Sequence, residues 1–290
     1  MTNRAVRRGG GRNGRGTMLD FLRKSVLGAD QARFWDENGY IVLRGFFDAA
    51  AVEAVNRAVS DLLAERARHP DVTVVISSGQ AAGRQMRIAD APDDAFGGPI
   101  KINDLFMVSP AVRARILDDR LGRVLGAFLD GDPIAFNSLN FLYGSTQAAH
   151  YDSWFMPPRV KDKMLAVSVC LDRHTAENGP VFVYPGSHRI PPYVFPHGGI
   201  ALLDAEFEPA LAYMRETTRD IAPVEIHGEP GDVLVWHGQL LHGGRPIADP
   251  AATRRSLVVH YLRACDVPRR DRIRAAEGGY LLRRDFHKAA

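Results

Sequence analysis

Gly231-Asp-Val-Leu-Val-Trp-His237, followed by Gly238-Gln-Leu-Leu-His242-Gly-Gly244, is the stretch on which the fold turns. A Gly-Asp turn opens a short apolar run, and a second turn separates that run from a histidine backed by two glycines. The run is too short for a helix and has glycine at both ends, so it reads as a buried strand. Outward from it the same pattern repeats from residue 133 onward. Apolar, β-type runs at 134–143, 164–171, 181–184, 224–227 and 256–262 alternate with turn clusters. Those clusters are Glu177-Asn-Gly-Pro180, Pro185-Gly-Ser187 and Glu229-Pro-Gly-Asp232. Many short strands punctuated by glycine and proline predict a sandwich or barrel.

The first half has a different texture. Residues 30–37 read as a short helix capped by Asp30 and stopped by Asn38-Gly39, and 40–43 as a brief strand. Asp48 caps a longer helix in which Val52, Val55, Val59, Leu62 and Leu63 recur at helical spacing. Residues 68–100, broken by Pro70, Pro92, Gly97, Gly98 and Pro99, read as one long irregular loop, and 110–129 as a further helix closing at Gly131. The expectation is one domain over 18–290. Its helical part, about 30–130, packs outside a β-barrel core at about 133–265.

Composition narrows the class. Of 290 residues, 46% are hydrophobic and 24% charged, a balance that excludes wholesale disorder. The apolar runs are far short of the ~20 residues needed to cross a bilayer, so no membrane association is expected. Cys170 and Cys265 alone make no disulfide scaffold, which favours a reduced, cytoplasmic setting. The net charge of +3 is uneven, because Arg4, Arg7, Arg8, Arg12 and Arg15 sit in an acid-free, glycine-rich arm at 1–17. That arm reads as a disordered, passive tail. The folded part lacks the basic-aromatic platform of a nucleic-acid binder, so none is expected as a partner.

The chemistry starts at Gln147-Ala-Ala-His150-Tyr151-Asp152. On extended backbone, positions i and i+2 share a face, so His150 and Asp152 offer an imidazole nitrogen and a carboxylate oxygen together. That is two thirds of the 2-His-1-carboxylate set that holds Fe(II) with open positions. Alone, His-x-Asp is more often a hydrogen-bonded pair. His237 and His242 compete for the third place, and Arg254 opens the next apolar strand, where a guanidinium can grip a carboxylate bidentately.

Taken in order, His150-x-Asp152, Glu177-Asn-Gly-Pro180, Pro185-Gly-Ser-His188, Gly231-Asp232, His242-Gly-Gly and Arg254 resemble the phytanoyl-CoA dioxygenase family. Gly39-Tyr-Ile-Val-Leu-Arg-Gly-Phe-Phe47 resembles that family's N-terminal part. The resemblance implies a mainly β fold with flanking helices, a double-stranded β-helix (jelly-roll, cupin-like) barrel. It implies Fe(II), 2-oxoglutarate and O2 as cofactor and cosubstrates, and a small-molecule substrate that is hydroxylated at an unactivated C–H bond. It makes His150, Asp152 and His242 the iron ligands and Arg254 the partner of the distal carboxylate of 2-oxoglutarate. Lys101, Asn140, Ser168 and Gln147 become further cosubstrate contacts, and His237 and His260 hydrogen-bonding histidines of the barrel. Retention of Asp152 favours hydroxylation over halogenation, while desaturation, cyclisation and epimerisation share the first step. A barrel kept only as a binding module is the alternative from another class, and the intact ligand set speaks against it. Trp154, Phe155 and Met156 are candidates for the cavity wall, and the segments at 68–100 and 189–222 for its cover.

Overall fold

The computed structural model describes residues 25–77, 83–202 and 207–283; the arginine-rich arm at 1–17 lies outside the described residues. After a helical stretch at 25–27 comes helix α1 (Ala29–Asn38), whose end is set by Gly39 in the left-handed region at φ 78°. Strand β1 (Tyr40–Leu43) follows, then α2 (Ala49–Ala64). The Asp48 side chain caps α2 by accepting the Ala51 N–H at 2.8 Å, and Val52, Val55, Val59 and Leu62 form its buried stripe. Residues 110–129 form two helices, α3 (Pro110–Ile116) and α4 (Asp119–Leu129). Asp118 breaks the run by accepting the N–H groups of Arg120 and Leu121, so it starts a new helix in place of extending the old one.

The expected irregular loop at 68–100 is largely ordered. It contributes β2 (Thr73–Ile76) and β3 (Gln85–Arg87), and β4 (Ile100–Asn103) comes directly after it. The helical N-terminal third is therefore also a source of strands. With β5 (Pro133–Phe141), β6 (Met164–Cys170), β9 (Val233–His237) and β11 (Ser256–Arg263), these strands build the larger sheet, in the order β1-β9-β6-β11-β5-β4-β2-β3. Near the C-terminus, β12 (Arg272–Arg274) pairs with β13 (Tyr280–Leu282), which runs parallel to β5. A smaller sheet joins β10 (His242–Gly244), β7 (Val181–Val183) and β8 (Val224–Ile226). Helix α6 (Phe207–Thr218) precedes β8.

Strict alternation in the central strands decides which side each residue serves. Leu165, Val167 and Val169 of β6, Val233 and Val235 of β9, and Leu257, Val259 and Tyr261 of β11 join the helices in the main core. Ala166, Leu234 and Trp236, one residue out of step, pack with Val183 of the small sheet and with Tyr40 and Leu240. The molecule is thus a helix layer, a large sheet and a small sheet. The jelly-roll expectation holds: the two sheets pack face to face around Ala166, Leu234, Trp236 and Val183, in an open form of that architecture.

Candidate active site

The site forms where the loop before residue 152 meets the small sheet. His150 N–H donates to the His242 carbonyl at 2.9 Å and His242 N–H returns a bond to the His150 carbonyl at 3.2 Å. This isolated antiparallel bridge sets the two imidazoles side by side, with ring centroids 4.4 Å apart. Gly243 makes the approach feasible, since a Cβ there would lie 2.6 Å from the Phe182 ring and 2.8 Å from the Gln147 carbonyl. Asp152 begins a single helical turn, α5 (Asp152–Phe155), and lies buried beside them.

One ligand atom each from His150, Asp152 and His242 lies within 4.8 Å of the others, so the three can hold a metal ion. The Asp152 Oδ1 oxygen is 3.6 Å from Nε2 of each of these histidines. The far ring nitrogens are engaged by backbone. His150 Nδ1 is 2.8 Å from the Ala148 carbonyl and His242 Nδ1 is 2.9 Å from the Leu240 carbonyl. A carbonyl only accepts, so each Nδ1 carries the hydrogen and each Nε2 keeps its lone pair for a cation. Burial pushes the His242 imidazole down to about 4, which keeps it neutral near pH 7. Burial alone would raise the Asp152 carboxyl, but His242, His260 and His150 hold it well below the usual carboxylate range. The other carboxylate oxygen, Oδ2, accepts the Trp236 indole N–H at 2.8 Å.

Arg254 meets the test for a carboxylate ligand. Its side chain is fully buried, and its Nε and Nη1 have no hydrogen-bond partner. Burial brings its guanidinium down to about 10, so it is still a cation at neutral pH. An unpaired buried cation is costly, and a carboxylate placed against it supplies both charge and acceptors. Ser256, two residues further on at the start of β11, also has a buried hydroxyl without a hydrogen-bond partner.

A cavity of about 680 Å³ opens beside the cluster, lined by Gln85, Lys101, Asn103, Asn137, Leu139 and Gln147 with His150, Asp152, Phe155, Met156 and His260. Lys101 donates to Gln147 Oε1 at 3.2 Å, so these two expected contacts meet. Burial lowers the Lys101 ammonium, partly offset by the Asp152 charge. Ser168 pairs with Val258 and Leu234 in the register and faces the space between the sheets. Asn140 does not reach the cavity. It stands opposite Leu257 and Ile102, both members of the helix-side core, whereas its neighbour Leu139 lines the cavity. The parity of β5 in the sheet, invisible in a single strand's sequence, decides this.

His237 leaves the competition for the third ligand. Its Nε2 is 3.8 Å from Asp162, in a separate crevice with His188 and Lys161. Phe155 and Met156 do line the cavity, while Trp154 is buried with Tyr151, Phe195 and Met214. The segment at 189–222 therefore buttresses the turn that carries Asp152. Sequence reasoning missed Trp236 and Asn137, and gave His260 no task at the carboxylate. For His260 the available signal was its parity with Ser256 on β11.

Two histidines and a carboxylate between the sheets of a jelly roll, with a buried arginine alongside, define a non-haem iron oxygenase. The sequence pattern of the phytanoyl-CoA dioxygenase family (PhyH) matches residues 35–256. The ectoine dioxygenase of Sphingopyxis alaskensis is 28% identical over 258 residues, covering 83% of this chain and 78% of that protein. A probable phytanoyl-CoA dioxygenase of Caenorhabditis elegans is 23% identical over 241 residues, covering 78% and 73%. Among solved structures, the non-heme alpha-ketoglutarate-dependent carbocyclase SnoK superposes with a TM-score of 0.65 at 15% identity, over 82% of this chain and 85% of that one. The chain belongs to the phytanoyl-CoA dioxygenase family and is an Fe(II)- and 2-oxoglutarate-dependent dioxygenase.

Proposed function

We propose that this protein hydroxylates an unactivated C–H bond of a small metabolite, consuming 2-oxoglutarate and O2 and releasing succinate and CO2. His150, Asp152 and His242 hold Fe(II), and the unpartnered Arg254 guanidinium receives the distal carboxylate of 2-oxoglutarate. When bound, iron with its cosubstrates supplies the oxidising power for hydrogen abstraction. The chain's own groups do the rest. Backbone carbonyls fix the imidazole tautomers, Trp236 holds Asp152, and the sheets shield the reacting centre from water. Lys101, Gln147 and Ser168 complete the cosubstrate surroundings. The substrate lies in the cavity, with Asn103, Asn137 and Gln85 offering polar contacts and Phe155, Met156 and Leu139 apolar ones. A compact molecule with both polar and apolar faces fits that lining.

The observation that carries this reading is the coincidence of the metal-ready cluster with a buried arginine just before β11 whose Nε and Nη1 have no hydrogen-bond partner. The test is succinate release from 2-oxoglutarate across a panel of small metabolites, with and without Fe(II), and mass analysis of the product. Gain of one oxygen atom supports hydroxylation, and loss of two hydrogens reports desaturation instead. His150→Ala and Asp152→Ala should retain the native circular dichroism spectrum and lose turnover. Wild-type turnover rates in both variants would overturn the assignment.

A further inference from the structure

A third imidazole stands at Asp152 that the two-histidine, one-carboxylate set does not use. His260 is buried on β11, and its Nε2 is 3.4 Å from Asp152 Oδ1, nearer than either ligand histidine. Its Nδ1 lies 2.6 Å from the carboxamide oxygen of Asn137, the residue directly opposite on β5. The other arm of the Asn137 carboxamide lies 3.4 Å from Met156 Sδ, which places this pair beside the turn carrying Asp152. His260 therefore sits between a carboxamide and a carboxylate, with one ring nitrogen aimed at each.

The two sheets divide the labour. His150, Asp152 and His242 belong to the small sheet and the loop bridged to it. Trp236 and His260 rise from β9 and β11 of the large sheet and meet the two carboxylate oxygens separately. A carboxylate oxygen has room for two partners. Oδ1 can accept from His260 and still present a lone pair to a metal, while Oδ2 is occupied by the indole. A lone pair on His260 Nε2 facing Oδ1 would be repulsive, so a hydrogen belongs between them. A carboxamide can present its N–H in place of its oxygen to Nδ1, which satisfies the ring from both ends.

We propose that His260 is a positioning residue, donating from Nε2 to Asp152 Oδ1 and, with Trp236, pinning the carboxylate so that it offers a metal one oxygen only. The inference rests on the metal-site reading above and deepens it. Partners of this kind typically change metal affinity 10- to 100-fold when removed.

The test is Co(II) titration of the full-length apoprotein, followed by its visible absorption and by calorimetry, for wild type, His260→Ala, His260→Gln, His260→Asn and Asn137→Ala. A glutamine amide reaches the place of Nε2 and an asparagine amide that of Nδ1. Expected is Co(II) binding weakened about 10- to 100-fold in His260→Ala and His260→Asn. Recovery to within a few-fold is expected in His260→Gln, and a smaller loss in Asn137→Ala. The Co(II) band shape should be unchanged in every variant, because the ligand set is. Affinity within twofold of wild type in all variants would reduce His260 to a packing role. A changed band shape in His260→Ala would make it a ligand, and either result overturns the proposal. Wild-type protein that fails to bind Co(II) would instead sink the metal site itself. Should His260→Ala not fold, the contrast between the glutamine and asparagine variants decides.

Discussion

Asp152 sits among four side chains: an indole N–H on one oxygen and three imidazole nitrogens around the other. Trp236→Phe removes the indole donor while keeping an aromatic ring against the small sheet. The expected outcome is an intact fold with metal affinity about 10-fold lower, measured by Co(II) titration. Arg254 gives a sharper residue-level prediction, because its burial costs stability that only a ligand recovers. In wild type, saturating 2-oxoglutarate with a redox-inert divalent metal should raise the melting temperature by mass action. Arg254→Met removes the unpaired charge, so without cosubstrate it should melt at the same temperature as wild type or higher. It should lose the 2-oxoglutarate-dependent increment. An increment equal to that of wild type would show that the guanidinium does not receive the cosubstrate.

At the scale of elements, the turn before β9 shows how the start of the chain is fastened to the sheet. Gly231 has φ 91°, and its carbonyl accepts the Phe47 N–H at 3.0 Å. Asp232 accepts from the backbone N–H groups of Gly45 and Glu229 at 2.7 and 3.0 Å and from the Arg44 guanidinium at 2.6 Å. A Cβ at residue 231 would overlap the Phe47 carbonyl oxygen, so Gly231→Ala meets both a steric and a conformational barrier. Expected is a loss of more than about 2 kcal/mol in denaturant unfolding, with β1 released from β9. By contrast, Asp48→Ala removes only the α2 cap and should cost about 1 kcal/mol. The Gly231-Asp232 motif was legible in the sequence as a turn. Its role as a clasp on residues 44–47 was not, because the partner lies nearly two hundred residues away and pairs through backbone atoms that all residues share.

At the scale of the whole molecule, acid sensitivity follows from imidazoles held neutral in the interior. Burial, with some help from the Arg254 charge, pushes His174 down to about 3, and burial pushes His242 down to about 4. In the unfolded chain both titrate near the ordinary histidine value of about 6.5. As pH falls below that value the unfolded state takes up protons the folded state refuses, so the apoprotein loses stability towards its folded-state values. Each such histidine contributes up to about 1.4 kcal/mol per pH unit in that window. Denaturant unfolding at pH 7 and pH 5 should show the drop, and His174→Gln should make it shallower. An unchanged slope in that variant would contradict the buried, neutral state.

The amino-acid sequence by itself determined the β-rich second half, the helix capped by Asp48 and, through the order of its family motifs, the His150, Asp152 and His242 set. The first two rest on local rules, strand alternation and cap chemistry, whereas local rules leave His237 and His242 in competition and the resemblance to the family selects His242. Only the tertiary structure decided the rest. It turned the segment at 68–100 into strands, because the β2–β3 pair is joined to the large sheet only once β4 is laid between β2 and β5. It sent Asn140 to the helix-side core and brought His260 to the carboxylate, because the side a residue serves depends on the register between strands distant in sequence. It left Nε and Nη1 of Arg254 without hydrogen-bond partners in the interior, since burial is a property of the packed layers and not of the residue that ends up between them.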